Sequence, residues 1–372
     1  MPEQLDVATR ELIERAEALG RETLAPLDEQ AALGSVAPGD ARERAQAASK
    51  AAGLFSLTQP VEFGGQGADV IKMVAVRDAL ASQGPYSLSA VFGPRPGVLA
   101  EVGEPLRTHY LLPMLAGEKR AGFGFTEPQD TPIFTRAERD GDTFVVTGRK
   151  SYVTGGASVD FVNVLADIGD EGRAFVVVDA DAEGVTYERI FETIDGTRHA
   201  AFAFDRVRVP ASHIVGAPGQ GMRRALDQIG ETRLAMAAQA VGHSRFVVNW
   251  IAQQLKAREA RKGVDAAARL RFGESRVRVF GARSALYRAA RLASGNTRAV
   301  NEAIAAKVLA TETLWKVLDD GIQLAGGEAL IRIHPLARLM GEARTLRVAE
   351  GLTDVLLQNA ARGDLELDSG VL

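Results

Sequence analysis

Apolar residues recur at a spacing of three and four along the first third of the chain, which predicts a mainly helical N-terminal region. Residues at this spacing lie on one face of an α-helix and form a stripe that is buried on folding. The predicted helices cover 5–24, 41–53, 70–83 and 105–116. Asp40 is the expected N-cap of the second helix, and the proline- and glycine-rich segment 93–97 is expected to exclude regular helix.

The apolar period shortens toward two between residues 121 and 215, which predicts β-strands. Runs such as 143–154 (TFVVTGRKSYVT) are rich in β-branched and aromatic residues. Asp140-Gly141-Asp142 is typical of a hairpin turn. Several short strands separated by close turn signals favour a compact antiparallel barrel.

Long helices rich in alanine, leucine and arginine are predicted from Met222 onward, at 222–256, 265–294, 298–325 and 337–362. Gly326 is expected to end the third of them, since glycine favours the position that follows a helix. Four such helices favour a bundle. The sequence therefore predicts an α+β multidomain protein with an N-terminal α-helical domain (1–118), a central antiparallel β-barrel domain (119–221) and a C-terminal four-helix bundle (222–372).

The composition and the net charge bear on whether nucleic acid or a membrane could be a partner. The 372 residues are 46% hydrophobic and 25% charged, which is ordinary for a globular protein. A net charge of −4 gives no general attraction to nucleic acid or to an anionic membrane. No stretch approaches the roughly 18 apolar residues of a membrane span, and the N-terminus is unlike a signal peptide. A cytoplasmic protein with no nucleic-acid or membrane partner is expected.

Cysteine is absent from the sequence, which excludes disulfides, thiolate nucleophiles and cysteine-based metal sites. The five histidines lack the spacing of a metal site, so no metal is expected. Any chemistry must then come from carboxylates, hydroxyls or a bound organic cofactor.

Six short motifs resemble, in order and over nearly the whole chain, those of the acyl-CoA dehydrogenase family of flavoenzymes. They are Gly53-Leu54-Phe55 followed by PVEFGGQG (60–67), GFGFTEP (122–128), GRKSYVTGG (148–156), VRVP (207–210) followed by Gly216 and Gly221, QLAGG (323–327), and AEGLT (349–353). Their order and spacing together carry the resemblance, because any one of them alone is weak.

The resemblance implies an oxidoreductase of fatty acid metabolism that dehydrogenates an acyl-CoA or acyl-carrier thioester with FAD. An α C–H is a poor acid, so this reaction needs a positioned carboxylate base and a polarised thioester carbonyl. Glu350 takes the position of the family's glutamate and is the candidate base. Glu231, beside the position that some members use, is the alternative. The resemblance also implies substrate contacts by the Gly351 backbone N–H and by Arg233, whose alternative interpretation is a surface arginine.

The resemblance further implies FAD contacts from two parts of the sequence, one in the predicted β domain and one in the C-terminal helical domain. The implied cofactor-binding residues are Phe125, Thr126, Tyr152, Thr154, Gln323, Gly327 and Leu352. Thr126 and Thr154 match threonines that hydrogen-bond the flavin ring, and Tyr152 stands where the family has a tryptophan. Gln323 and Gly327 are expected to meet the adenosine end of FAD from a neighbouring subunit, although an ordinary helix end is an equal interpretation.

The chain departs from the family pattern at several places, of which one concerns the FAD phosphates. Gln129-Asp130-Thr131-Pro132 replaces the glycines and the serine that approach the FAD pyrophosphate, and Asp130 would repel phosphate if it faced inward. The departure leaves two assemblies open: a homotetramer or dimer, and a subunit of an α₂β₂ heteromer that shares one FAD site. An electron-transferring flavoprotein is the expected electron acceptor in either case.

Three other interpretations use the same scaffold. A flavin monooxygenase or a nitroalkane oxidase-like enzyme is disfavoured by Glu350, because monooxygenase relatives need no such base. A DNA-associated relative is disfavoured by the acidic run 363–368. Acyl chain length, and the choice between CoA and carrier-protein thioesters, are open on the sequence alone.

Overall fold

The computed structural model describes residues 4–86, 88–131, 134–295 and 299–366. These residues form two compact units. A helical unit consists of Met1–Phe92 with Gly230–Leu372, and a β unit consists of Gly93–Ile229. The two domain boundaries expected from the sequence, near 118 and 222, stay a prediction.

The N-terminal part of the helical unit contains α1 (Val7–Leu19), α2 (Ala25–Ala32), α3 (Pro38–Ala51) and α4 (Val70–Ala81). A π-helical turn at Gly20–Leu24 joins α1 to α2, so the helix predicted at 5–24 runs further than expected. The prediction that Asp40 caps α3 is wrong. Ala37 is the N-cap and Asp40 lies in the first turn, because Pro38 has the fixed φ that suits the first helical position.

The described part of the β unit contains the short helix α5 (Leu112–Ala116) and eight strands. These are β1 (Ala121–Gly124), β2 (Arg136–Asp140), β3 (Thr143–Thr154), β4 (Phe161–Asp167), β5 (Arg173–Asp179), β6 (Val185–Glu192), β7 (Arg198–Pro210) and β8 (Ile214–Val215). Their order in the sheet is β6-β7-β3-β2-β4-β5-β8, with β1 beside β4. The predicted central β domain is confirmed, and most pairings are antiparallel as expected. However, β1 and β2 both pair in parallel with β4, which alternation of apolar residues could not indicate.

The hairpin predicted at Asp140-Gly141-Asp142 is confirmed. Strand β2 ends at Asp140 and β3 begins at Thr143. Gly141 adopts a φ of 61°, a left-handed conformation that glycine reaches without steric cost. The turn therefore sets the register of the long strand β3.

The C-terminal helices are α6 (Gly221–Lys262), α7 (Ala266–Ser294), α8 (Val300–Ala325), α9 (Pro335–Val348) and α10 (Thr353–Leu365). The predicted helical C-terminal region is confirmed, and Gly326, with a φ of 74°, ends α8 as expected. The fourth predicted helix, 337–362, is divided into α9 and α10 by a break at residues 349–352. No helix in the part of the chain that the structure describes combines the length and the hydropathy that a membrane crossing needs.

A single hydrophobic core joins the N-terminal and C-terminal helices of the helical unit. Leu80 of α4, Val241 of α6 and Leu314 of α8 are among its fully buried members. Within this core lies the buried carboxylate of Asp78, which accepts hydrogen bonds from Arg245 Nη1 (2.7 Å), Arg283 Nε (2.8 Å) and the Tyr287 hydroxyl (3.1 Å). A buried charge needs such partners, so this network fixes α4 against α6 and α7.

Candidate active site

Glu350 lies in the break between α9 and α10, where the backbone takes an unusual conformation. Its φ is 54°, and that of Gly351 is 118°. A residue with a Cβ is strained in this region by about 1–3 kcal/mol, and such strain is typical of functional sites. A Cβ on Gly351 would lie 2.8 Å from Leu356 Cδ2, so glycine is required there. This conformation interrupts the helix that was predicted over 337–362.

Two basic side chains lie around the half-buried Glu350. Arg233 on α6 donates a hydrogen bond of 3.1 Å from Nε to the backbone oxygen of Glu350. Burial raises the pKa of the Glu350 carboxyl, and the positive charges of Arg233 and Lys307 partly oppose that rise. Burial also lowers the pKa of the Arg233 guanidinium. A carboxyl whose pKa is shifted toward neutrality suits proton transfer.

Two side chains of α8, Lys307 and Glu312, form hydrogen bonds with residues before and after Glu350. Lys307 is fully buried, and its Nζ donates to the backbone oxygens of Arg347 (3.2 Å) and Gly351 (2.9 Å). Glu312 Oε1 accepts from Arg347 Nε (2.8 Å) and from the Thr353 hydroxyl (3.0 Å). Sequence reasoning missed both residues. A lysine within the apolar run IAAKVLA (304–310) was the available signal.

A second group of predicted residues lies in the β unit. Phe125 and Thr126 directly follow β1, and the Ser151 N–H donates a hydrogen bond of 2.8 Å to the Thr126 backbone oxygen. This bond brings Thr126 beside the last residues of β3, which include Tyr152 and Thr154. The side chains of Thr126, Tyr152 and Thr154 are exposed. The structure therefore brings these flavin-contact candidates together at the end of one strand.

Tyr152, in the β unit, also has an unusual backbone. Its φ is 52°, and the pairing of β3 with β7 shifts register between Lys150 and Val153. Irregularities of this kind redirect side chains and are frequent beside active sites. The Tyr152 ring is 61% exposed, packs edge-on against Phe191 at 5.3 Å, and borders a cleft of about 400 Å³.

A buried ion pair anchors the segment that carries Thr126. Glu127 Oε1 accepts from Lys150 Nζ (2.7 Å) and from the Thr135 N–H (2.8 Å). Burial lowers the pKa of the fully buried Lys150 to about 8. Although burial opposes ionisation of Glu127, the hydrogen bonds from Lys150 and Thr135 lower its pKa. The pair fixes the segment against β3.

The altered pyrophosphate segment is only partly described, since Pro132 lies outside the described residues. The exposed Asp130 carboxylate is 3.5 Å from Arg149 Nη1. Arg149 also donates from Nε to Glu188 Oε1 at 2.8 Å. The negative charge of Asp130 is therefore partly balanced by a guanidinium.

The remaining predicted residues lie in the helical unit. Gln323 occupies the last turn of α8, Gly327 follows its end, and both are exposed. Leu352 is 51% exposed and lies in the break beside Gly351. The alternative base Glu231 is exposed on α6, unlike the half-buried Glu350. Within the described ranges, no three histidine or acidic side chains cluster as metal ligands.

Solved structures share this fold. A probable acyl-CoA dehydrogenase from Mycobacterium abscessus has a TM-score of 0.86 and 25% identity, over 96% of this chain and 98% of its own. A glutaryl-CoA dehydrogenase from Mycobacterium smegmatis, in complex with FADH2, has a TM-score of 0.83 and 18% identity, over 97% of this chain and 95% of its own. At 18% identity the second comparison shows the fold alone.

Sequence comparisons identify the family. The model of the acyl-CoA dehydrogenase middle domain matches residues 114–207, and that of the C-terminal domain matches 219–365. A 3-(aryl)acrylate reductase from Clostridium sporogenes is 28% identical over 82% of this chain and 85% of its own. A probable acyl-CoA dehydrogenase from Mycobacterium leprae is 30% identical over 84% and 85%. The chain therefore belongs to the acyl-CoA dehydrogenase family, whose members are FAD-dependent oxidoreductases.

Proposed function

We propose that this protein removes hydrogen from the α and β carbons of an acyl-CoA or acyl-carrier thioester, with Glu350 as the base that takes the α-proton. The observation that carries the proposal is the half-buried Glu350, held in a left-handed turn with a pKa raised by burial. Bound FAD would accept the hydride from the β carbon.

Glu350, Gly351 and Arg233 each have a separate task in this proposal. The Glu350 carboxylate removes the α-proton and is protonated by that step. The Gly351 backbone N–H donates to the thioester carbonyl, which stabilises the negative charge that develops on its oxygen. Arg233 offers positive charge beside the reacting carboxylate and can also meet a phosphate of the CoA or carrier.

The β-unit residues fit a flavin ring. Thr126 and Thr154 offer exposed hydroxyls that can both donate and accept hydrogen bonds, and the exposed Tyr152 ring offers an aromatic face. The cleft beside Tyr152 leaves space on that side. Phe125 and Leu352 would add contacts through the backbone and the side chain. These features support FAD as the resident cofactor.

Gln323 and Gly327 are proposed to meet the adenosine end of FAD from a second copy of the chain, in a homodimer or homotetramer. Their exposure at the end of α8 leaves them accessible to such a partner. An electron-transferring flavoprotein is the proposed acceptor of the electrons, in the cytoplasm. These assignments extend the family's chemistry to this chain.

The experiment is reduction of the protein-bound flavin by short-, medium- and long-chain saturated acyl-CoAs, followed by visible absorption. We expect one class to bleach the flavin, and Glu350→Gln to slow bleaching by about 10²- to 10⁴-fold, the usual contribution of a general base. Glu231→Gln is the matched control and keeps the rate. Bleaching by Glu350→Gln at the unaltered rate would contradict the proposal.

A second candidate is a heteromeric enzyme in which this chain supplies only part of the FAD site. The specific observation is the segment Gln129-Asp130-Thr131, which carries a carboxylate where close backbone approach to a pyrophosphate is needed. Alone, such a subunit would retain little FAD. One FAD per chain in a purified homo-oligomer would exclude this candidate.

A further inference from the structure

The proposed chemistry gives no task to Lys307, although this lysine contacts the backbone on both sides of Glu350. It lies on α8 between Ala306 and Ala310, both fully buried, and its own side chain has no exposed area. Burying an ammonium costs free energy unless its hydrogen-bond donors are satisfied. Among the described residues, the acceptors of the Lys307 ammonium are backbone oxygens on either side of Glu350, within the break and the last turn of α9.

The two hydrogen bonds span the residue that carries the carboxylate. The Arg347 oxygen belongs to the last turn of α9, where helix carbonyls lack partners within the helix. The Gly351 oxygen comes directly after Glu350. One ammonium group thus fixes the backbone before and after Glu350, at 3.2 and 2.9 Å. An ammonium has three donors, so it can satisfy both oxygens at once.

Most other contacts of the break act on different atoms, although the Thr353 hydroxyl also lies 3.5 Å from the Arg347 oxygen. Arg233 on α6 donates a hydrogen bond to the backbone oxygen of Glu350. Glu312 on α8 holds the Arg347 side chain and the Thr353 hydroxyl, beyond the ends of the segment that Lys307 spans. Without Lys307, the Arg347 and Gly351 oxygens would lose the ammonium group that joins them, whereas the longer contact of Arg347 with the Thr353 hydroxyl and the other contacts would stay. The turn would then be free to relax from its strained conformation.

We propose that Lys307 is a positioning residue for proton abstraction: it holds the strained turn that aims the Glu350 carboxylate, and it supplies positive charge that favours the ionised base. The inference rests on the proposed role of Glu350. It assigns Lys307 a function beyond stability, because both the geometry and the charge state of the base depend on it.

The charges that face Glu350 give this proposal a distinctive signature. Arg233 on α6 and Lys307 on α8 act on Glu350, and Glu312 on α8 and Arg347 on α9 act in turn on Lys307. Burial lowers the pKa of Lys307 to about 8, so Lys307 is mainly cationic below that pH. Its charge lowers the pKa of Glu350. A neutral residue at 307 therefore moves the acid limb of activity to higher pH, which a purely structural role would not do.

The test compares Lys307→Met and Lys307→Gln in the full-length flavoprotein. Lys316→Met is the matched control, since Lys316 lies on the same helix, is 39% exposed and pairs with Asp320. Flavin content and thermal midpoint establish that each variant is folded. Lys307→Gln keeps a side chain that can donate to one carbonyl, so it serves if Lys307→Met does not fold.

Two measurements report on the base. The first is the pH dependence of flavin reduction by the fastest saturated acyl-CoA. The second is uptake of solvent deuterium at the α carbon of a 3-thia-acyl-CoA, whose β position is sulfur and has no hydrogen to transfer. We expect both rates to fall by about 100-fold, the typical cost of a misplaced catalytic group. We also expect KM to change little and the acid limb to move to higher pH.

The possible outcomes separate the two proposals. Loss of deuterium uptake in Glu350→Gln, with unaltered rates and pH profile in folded Lys307 variants, would overturn the role of Lys307 and leave Glu350 as the base. Lower thermal midpoints in the Lys307 variants, with an unchanged pH profile, would also overturn it by showing a structural role only. Unaltered uptake in Glu350→Gln would overturn both proposals.

Discussion

The guanidinium of Arg233 is hydrogen-bonded to Glu350, with 3.1 Å between Arg233 Nε and the backbone oxygen of Glu350. The positive charge of Arg233 lowers the pKa of the Glu350 carboxyl, whereas burial of that carboxyl raises it. On balance, the pKa of Glu350 is raised above its ordinary value. The balance between these two effects sets the pH at which Glu350 can accept a proton.

The activity should therefore have an acid limb controlled by Glu350. The base is active when ionised, so the rate rises with pH through the raised pKa and is lost below it. Arg233→Met removes the charge that lowers this pKa and should move the acid limb to higher pH. Rates of flavin reduction across pH measure the shift, and Arg344→Gln, at an exposed position on α9, should leave the limb in place.

Gly351→Ala should destabilise the protein and slow proton abstraction. Alanine at this position would have to adopt a φ of 118°, and its Cβ would lie 2.8 Å from Leu356 Cδ2. The backbone strain alone costs about 1–3 kcal/mol. Chemical denaturation measures the loss. Gly281→Ala on α7 is the control, because a Cβ there meets nothing within 4 Å. Equal stability of the two variants would contradict the assigned strain.

Lys150→Met should release the segment that carries Thr126. The substitution leaves the half-buried Glu127 without its cationic partner, and breaking a buried pair costs at most about 3–5 kcal/mol. We expect lower stability and weaker flavin retention, measured by denaturation and by absorbance after gel filtration. The double variant Glu127→Gln with Lys150→Met should recover part of the stability, since no unpaired charge stays buried. No recovery would show that packing of Lys150 matters more than the ion pair.

Asp78→Asn should weaken the contact of α4 with α6 and α7. Arg245 and Arg283 would each lose the charged acceptor that compensates their partial burial. Breaking such a buried ionic network costs about 3–5 kcal/mol, measurable as a fall in the free energy of unfolding. Asp319→Asn, at an exposed position on α8, should change stability by less than about 0.5 kcal/mol.

Local periodicity predicted the order of helical and β regions, because it depends on which face of each element is buried. Periodicity could not predict the order of the strands in the sheet, because the parallel pairing of β1 with β4 joins segments that are about 40 residues apart. The wrong N-cap at Asp40 shows a similar limit. Pro38 fixes the start of α3 by its ring, and this local constraint is stronger than the capping preference of an aspartate two residues later.

The candidate functional residues show the same difference between local sequence signals and tertiary contacts. Glu350, Gly351, Thr126 and Tyr152 were identified from motifs that resemble those of a known family. Lys307 and Glu312 were missed, because their role depends on a tertiary contact between α8 and the break that follows α9. The left-handed conformation of Tyr152 was also missed, since it arises from an irregular pairing of β3 with β7.

The left-handed backbone at Glu350 has a consequence for engineering. Glycine or asparagine would occupy a φ of 54° at lower conformational cost than glutamate. A selection for thermostability alone should therefore favour replacing the very residue on which the chemistry depends. Glu350→Gly is expected to unfold at a higher temperature than the natural protein while losing its turnover, so that robustness and activity oppose each other at one position.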